Sequence, residues 1–289
     1  MPRVGVSEKS AAVGSSGSRP VSVLAITSGK GGVGKTTVAV NLAMAIAARG
    51  REVMLLDADL SLANVDLLLG LRPKRNLSHV IDGECSLEDV VLSGPGEIKI
   101  VPGSSGIKRM AELNVTERAG LVYAFSALAD LAEVLIIDTA AGISDSTLNF
   151  CAASHEVVVV VCNEPASIAD AYAIIKVLNQ GHALSRFRIL VNMARSTEEG
   201  SRLFQKLLDV TQRFLNVSLD LIGTIPYDEK VHEAIKRQQA VFQAFPNSGA
   251  SAAFRRLAEG TNQWPARRDA SGKLEFFVER MIHAGSGNE

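Results

Sequence analysis

Short aliphatic runs recur along this chain, and longer segments with helical apolar spacing separate most of them. The runs are "VSVLAIT" (21–27), "VMLLDAD" (53–59), "IKIVPG" (98–103), "VLIIDTAAG" (134–142), "EVVVVVCNEP" (156–165), "FRILVNMA" (187–194) and "LDLIGTIPYD" (219–228). Each is apolar at consecutive positions rather than at alternate ones. A strand of that kind is buried on both faces, as in a parallel sheet covered by helices. The intervening "TTVAVNLAMAIAARG", "SIADAYAIIKVLNQ" and "EEGSRLFQKLLDVTQRF" place apolar residues three and four apart, the spacing of a helix face. Gly50 stands where a helix C-terminus favours glycine. The pattern predicts an α/β fold: a doubly wound, mostly parallel sheet flanked by helices, in one domain over residues 21–262. Residues 1–20 contain "VGSSGSRP" and predict a disordered arm. Residues 263–289 predict a linker, "QWPARRDASGK", and a C-terminal amphipathic helix. No internal repeat is present.

Composition agrees with this picture. Of 289 residues, 47% are hydrophobic and only 5% aromatic, so the core is aliphatic. The net charge of −1 gives no strong field towards nucleic acid or an acidic lipid surface. Cys85, Cys151 and Cys162 show no CxxC spacing, which argues against structural zinc and disulfides. No apolar run reaches the roughly 18 to 20 residues of a membrane span. The opening residues lack the apolar core of a secretory signal. The expected location is therefore the cytoplasm.

Chemistry concentrates in "TSGKGGVGKTT" (27–37). Gly29 to Thr36 fits GxxxxGK[ST] in full, between a predicted strand and a predicted helix. Backbone amides of such a loop and of the helix start point at phosphates. Lys35 neutralises the terminal phosphate oxygens and the Thr36 hydroxyl ligates Mg²⁺. Gly29, Gly31, Gly32, Val33, Gly34 and Thr37 complete the cradle. The same stretch also fits GxGxxG, with Asp57 about where a dinucleotide fold places its ribose-binding acid. Lys35-Thr36 and a second strand delivering Asp138 at its tip decide for a triphosphate loop. Lys30 is the anomaly: one loop lysine suffices for one triphosphate.

The "KGGVGKTT" spelling resembles the deviant Walker A motif of the MinD/ParA ATPases, P-loop NTPases of the SIMIBI class. "LLDADLSLANVD" resembles their switch I, and "IIDTAAGI" their Walker B and switch II. The resemblance covers residues 20 to 240 and implies an ATP hydrolase that works with Mg²⁺ as a slow switch. It also implies that ATP brings two copies together. Lys30 would then reach across the homodimer to phosphates bound by the other subunit, the part an arginine finger plays elsewhere. Asp59 would position or deprotonate the attacking water. Asp57 would support Mg²⁺ through water, or serve only as a helix cap. Asn64 would face the nucleotide, or likewise cap a helix. Asp138 would hold a magnesium-bound water.

No NKxD or TKxD element of a GTPase occurs. "LVNMA" and "IPYDE" match the places where the family holds adenine, so Asn192, Pro226 and Asp228 are the candidate base contacts. Relatives with a shared iron–sulfur cluster, with two phosphate loops, or with a tyrosine-rich tail do not fit these residues.

From Leu274 the apolar positions Leu274, Phe277, Val278, Met281 and Ile282 form one helical stripe. It would serve equally as a peripheral contact with the inner membrane, at the cell pole for instance, or as a helix docked on its own domain. The basic pairs Lys236-Arg237, Arg255-Arg256 and Arg267-Arg268 read as solvated helix faces rather than a DNA patch. No sequence-specific nucleic acid contact is expected.

Residues 57–84 and 134–144, with "EPASIADAYAIIK", "IPYDEKV" and "LEFFVER", resemble one subgroup, the MinD-like regulators of flagellar number (FleN/FlhG, YlxH type). That implies antagonism of a FleQ-type transcriptional activator. A second implied partner is an FlhF-type GTPase. However, residues 1–20 hold no DQAxxLR-like element, which tells against direct stimulation of that GTPase. A ParA/MinD-type positioning ATPase, acting on DNA partition or division-site placement, is the alternative. An ATP-dependent metabolic enzyme is the third class, and no sequence feature supplies its substrate pocket.

Overall fold

The computed structural model of the chain describes residues 21–59, 64–103, 125, 131–261 and 264. The N-terminal arm, the Leu274–Ile282 stripe and the Arg267-Arg268 pair lie outside these residues.

The strands are β1 (Ser22–Thr27), β2 (Val53–Ala58), β3 (Leu92–Ser93), β4 (Lys99–Val101), β5 (Val134–Thr139), β6 (Glu156–Val161), β7 (Arg186–Ala194) and β8 (Ser218–Pro226). They form one sheet in the order β3-β4-β2-β5-β1-β6-β7-β8. Every described pairing is parallel except β3 with β4. The predicted runs are all strands. β3 is an addition: two residues that extend the edge by antiparallel pairing.

Side chains alternate across the sheet, and both faces are dry. Leu24 and Ile26 of β1 face one side, with Leu55 of β2 and Val158 of β6. That layer is covered by α1 (Lys35–Ala47), α8 (Val241–Ala244) and α9 (Gly249–Thr261). Ala25 of β1, Val159 of β6 and Ile189 of β7 face the other, under α4 (Asp145–Ala153), α5 (Pro165–His182) and α6 (Thr197–Phe214). β2, β5 and β6 are buried at every position, which is why their sequences are apolar without alternation. Each aliphatic side chain so buried contributes about 1.5–3 kcal/mol. α1 is itself enclosed between sheet and α9, with Val38 to Ile46 all buried. Truncating Leu42 at its centre would cost about 2–5 kcal/mol.

The parallel register brings the carboxyl ends of the strands to one edge. Asp57 and Asp138 stand side by side on β2 and β5, and Ile26 pairs with Asp138 across β1 and β5. β1 lies between β5 and β6, so the loops leaving its end open into the crevice where doubly wound sheets bind ligands. Helix starts at this edge are fixed by short polar caps. Ser144 Oγ accepts from Thr147 N at 3.4 Å, and Ser196 Oγ accepts from Glu199 N at 3.2 Å.

Candidate functional site

The loop from Ser28 to Gly34 joins β1 to α1, and its shape depends on glycine at particular points. Gly32 and Gly34 have φ of 82° and 87°, the left-handed region. A Cβ on Gly29 would lie 2.1 Å from the backbone of Asp170 in α5. A Cβ on Gly34 would lie 2.5 Å from Asn192 Nδ2. Ser28 Oγ donates to the Lys30 carbonyl at 2.6 Å, which fixes the loop from inside. No side chain caps α1, and its first turn holds no acid. The amides there remain available to an anion, as the sequence motif predicts.

Lys35 is buried, and burial lowers its pKa against the opposing pull of Asp138 and Asp59. Asp138 is fully buried and, among the described residues, neither carboxylate oxygen has a hydrogen-bond partner. Burial pushes its pKa up to about 7, with the Asp57 and Asp59 charges adding to the rise. Thr36 and Lys35 oppose it, though the Thr36 hydroxyl stops short of hydrogen-bond geometry. An orphaned buried carboxylate beside a lysine and a threonine hydroxyl fits a hydrated Mg²⁺ held mainly by phosphates and one or two protein oxygens. Among the described residues no cluster of three or more ligand side chains could hold a metal by itself.

Asp57 is differently engaged. Its Oδ1 accepts from Asp59 N at 3.1 Å, and its Oδ2 accepts from Asn64 N at 3.1 Å and Val65 N at 3.2 Å. The carboxylate thus ties both ends of the segment after β2 and anchors the start of α2 (Val65–Leu69), which is followed by α3 (Leu77–Ile81). Burial raises its pKa to about 6 despite those bonds. Asp59 lines the cleft, and Asn64 Nδ2 points to its Oδ2 at a long 3.4 Å. The second switch is tied to the loop's base: Gly142 N donates to the Ser28 carbonyl at 2.9 Å, and Thr139 Oγ1 to the Ile26 carbonyl at 3.0 Å.

A cleft of about 700 Å³ opens above the loop. Gly31, Gly32, Gly34, Lys35, Thr36 and Thr37 form its floor, with Asp59 and Asn64 to one side. Asn192, Pro226 and Asp228 also line it. Their groups are already employed. Asn192 Nδ2 donates to the Val33 carbonyl at 2.8 Å. Asp228 Oδ1 accepts from Lys230 N at 2.9 Å, starting α7 (Glu229–Lys236), and its Oδ2 accepts from Ala250 N at 3.0 Å in α9. Burial alone would raise the Asp228 pKa, but these backbone bonds outweigh it and hold it below the usual value.

Gly29, Lys30, Val33, Asp57 and Asp138 are not on the cleft wall. Lys30 Nζ leaves its own cleft and pairs with Glu164, the residue before α5. Sequence reasoning missed Glu164 and the apolar end of the cleft: Leu67, Met193, Tyr227, His232 and Ile235. Tyr227 adjoins Pro226, and His232 and Ile235 follow Asp228 at helical spacing, so a signal was present. One arginine of each described basic pair is engaged locally. Arg237 pairs with Glu233, and Arg255 bonds the Pro246 carbonyl with its guanidinium 5.7 Å from the Phe242 ring.

A family model described as the CobQ/CobB/MinD/ParA nucleotide binding domain matches residues 24–241. The chain is 56% identical over 270 residues to the antiactivator FleN of Pseudomonas aeruginosa, covering 93% of this chain and 96% of that protein. It is 29% identical over 225 residues to the flagellum site-determining protein YlxH of Helicobacter pylori, covering 78% and 76%. Among solved structures it resembles the septum site-determining protein MinD of Pyrococcus horikoshii complexed with Mg-ADP. The TM-score is 0.65 at 25% identity, over 84% of this chain and 96% of that one.

Proposed function

This chain belongs to the MinD/ParA family of nucleotide-binding proteins, and from that premise we propose that it is an ATP-driven switch restraining flagellar assembly. It is an ATPase of that family, and its target is a transcriptional activator of the FleQ type. The observation that carries the regulatory reading is the likeness to an antiactivator across nearly the whole of both chains. Two domains sharing only a nucleotide fold would not agree outside the motifs.

The residues divide the work. The loop amides and Lys35 bind the phosphates of ATP. Thr36 and Asp138 would hold hydrated Mg²⁺, with Asp57 behind them, and the ion would supply charge neutralisation to the phosphates. Asp59 orients the attacking water and takes its proton. Adenine lies at the apolar end, against Pro226 and Tyr227, within reach of Asn192 and Asp228. Lys30 stabilises the transferring phosphoryl group of a second copy, so the terminal phosphate determines whether the dimer holds. Lys30 cannot serve its own site from its place on Glu164, which supports a role in trans.

Light scattering should show a dimer with Mg²⁺ and a non-hydrolysable ATP analogue, and a monomer with ADP. A FleQ-type activator should be retained only by the ATP-bound form. Equal retention in both states would overturn the switch. A flagellar GTPase is the second partner to examine, and liposome flotation addresses membrane contact by residues 274–282. Among the described residues no helix is long and apolar enough to cross a membrane. The positioning alternative draws on the MinD likeness. It predicts salt-sensitive DNA binding by the ATP dimer, for which the engaged arginines Arg237 and Arg255 leave little provision.

A further inference from the structure

Asn192 lies on a local irregularity of β7. Val191 pairs with Thr224 and Ala194 with Pro226, so β7 carries one more residue than β8 over this interval. That is a bulge, and such insertions re-aim a side chain. Met193 within it has a φ of 55°, unfavourable for a residue with a side chain. Backbone strain of this kind persists only where its surroundings hold it. What the bulge achieves is specific. It turns the buried Asn192 amide under the phosphate loop, where Nδ2 donates to the Val33 carbonyl at 2.8 Å. The contact is so close that a single methyl on Gly34 would meet the same nitrogen at 2.5 Å. Val33 itself is fully buried, so its carbonyl has no water to turn to.

We propose that Asn192 is a positioning residue for the phosphate loop: it holds the Val33 carbonyl from below and so keeps the Gly34 and Lys35 amides aimed at phosphate whether or not a base is bound. A polyphosphate without a base is then a sufficient ligand. The other end of the amide, an acceptor, is the part left for adenine, so one side chain joins the base end of the cleft to its phosphate end. This deepens the ATP-binding reading and rests on it.

The test compares Mg-ATP with Mg-tripolyphosphate by calorimetry on the full chain and on Asn192→Ala. Wild type should bind both. The variant should lose roughly 5- to 10-fold on both ligands, the worth of one hydrogen bond left unmade. Amide exchange in the ligand-free variant should quicken at 33–36 and stay slow in β6. Asn192→Asp, the isostere without a donor, should lose at least as much. A loss confined to ATP would make Asn192 a base contact only and overturn the proposal, as would unchanged affinity for both. Wild type that binds ATP but not tripolyphosphate would show that the loop needs the base, and overturn it too. Wild type that binds neither would sink the nucleotide reading itself.

Discussion

Lys30 of the phosphate loop and Glu164 at the start of α5 form an ion pair within one copy of the chain. The loop lysine is thereby held by a carboxylate at the start of α5 instead of by phosphate. Pairing raises the Lys30 pKa, chiefly through the Glu164 hydrogen bond, so the ammonium is charged at every physiological pH. In the proposed dimer Glu164 would compete with the partner subunit's nucleotide for the same charge. Glu164→Gln should therefore lower the ATP concentration needed for dimerisation, by roughly twofold to fivefold given the partly exposed pair. Lys30→Ala should bind ATP and fail to dimerise. Sedimentation across an ATP titration distinguishes them, and a Glu164→Gln chain that dimerises less readily would assign Glu164 to the interface instead.

Asp59 reaches the cleft from the end of β2, and Asp57 anchors it by accepting its amide. Removing the carboxylate would take away the proposed general base and leave the loop's own contacts in place. Asp59→Ala should bind ATP and dimerise while turnover falls by about 10²-fold or more. Phosphate release under saturating ATP measures this, and near-normal turnover would place the base elsewhere.

Two buried carboxylates make the ligand-free chain sensitive to pH in an unusual direction. Asp57 titrates at about 6 and Asp138 at about 7, against 3.8 for an ordinary aspartate, burial being the main cause of both rises. The folded chain thus carries more protons than the unfolded one between those values, and their contribution to stability falls as pH rises through that window. Ligand-free chains should melt at lower temperature at about pH 8 than at about pH 5. The stabilisation given by Mg-ATP, which needs the charged carboxylates, should grow over the same interval. Asp138→Asn should flatten the ligand-free dependence, and scanning fluorimetry across pH would reveal a dependence that survives it.

Asp228 accepts from the first turn of α7 with one oxygen and from Ala250 of α9 with the other. Losing two such bonds costs about 1–3 kcal/mol on the scale of a helix cap. Asp228→Ala should shift the denaturant midpoint accordingly and weaken ATP, since α7 carries His232 and Ile235 on the cleft wall. Weakened ATP with unchanged stability would make Asp228 a direct contact with the base and not a cap.

The strands, the loop and the order of the carboxylates were legible because each is written in consecutive residues. Both-sided burial makes β2 and β6 continuous in the sequence, and the loop's glycines and lysines sit at fixed offsets. β3 escaped because two residues, Leu92 and Ser93, are too few to show a period. The grip of Asn192 on Val33 joins residues 159 positions apart and leaves no local trace. Asp57 carried two readings, magnesium support and helix cap. The structure adds bonds from three amides, two of them at the start of α2, that no motif spells out. The pairing of Lys30 was unreadable for the same reason: Glu164 belongs to another strand's end.

Gly29 rests on the backbone of Asp170 with no space for even one more carbon. The loop residue next to Lys30 and the long helix α5 are thus in direct backbone contact. A partner that gripped the solvent side of that helix would therefore act one backbone contact away from the phosphate loop.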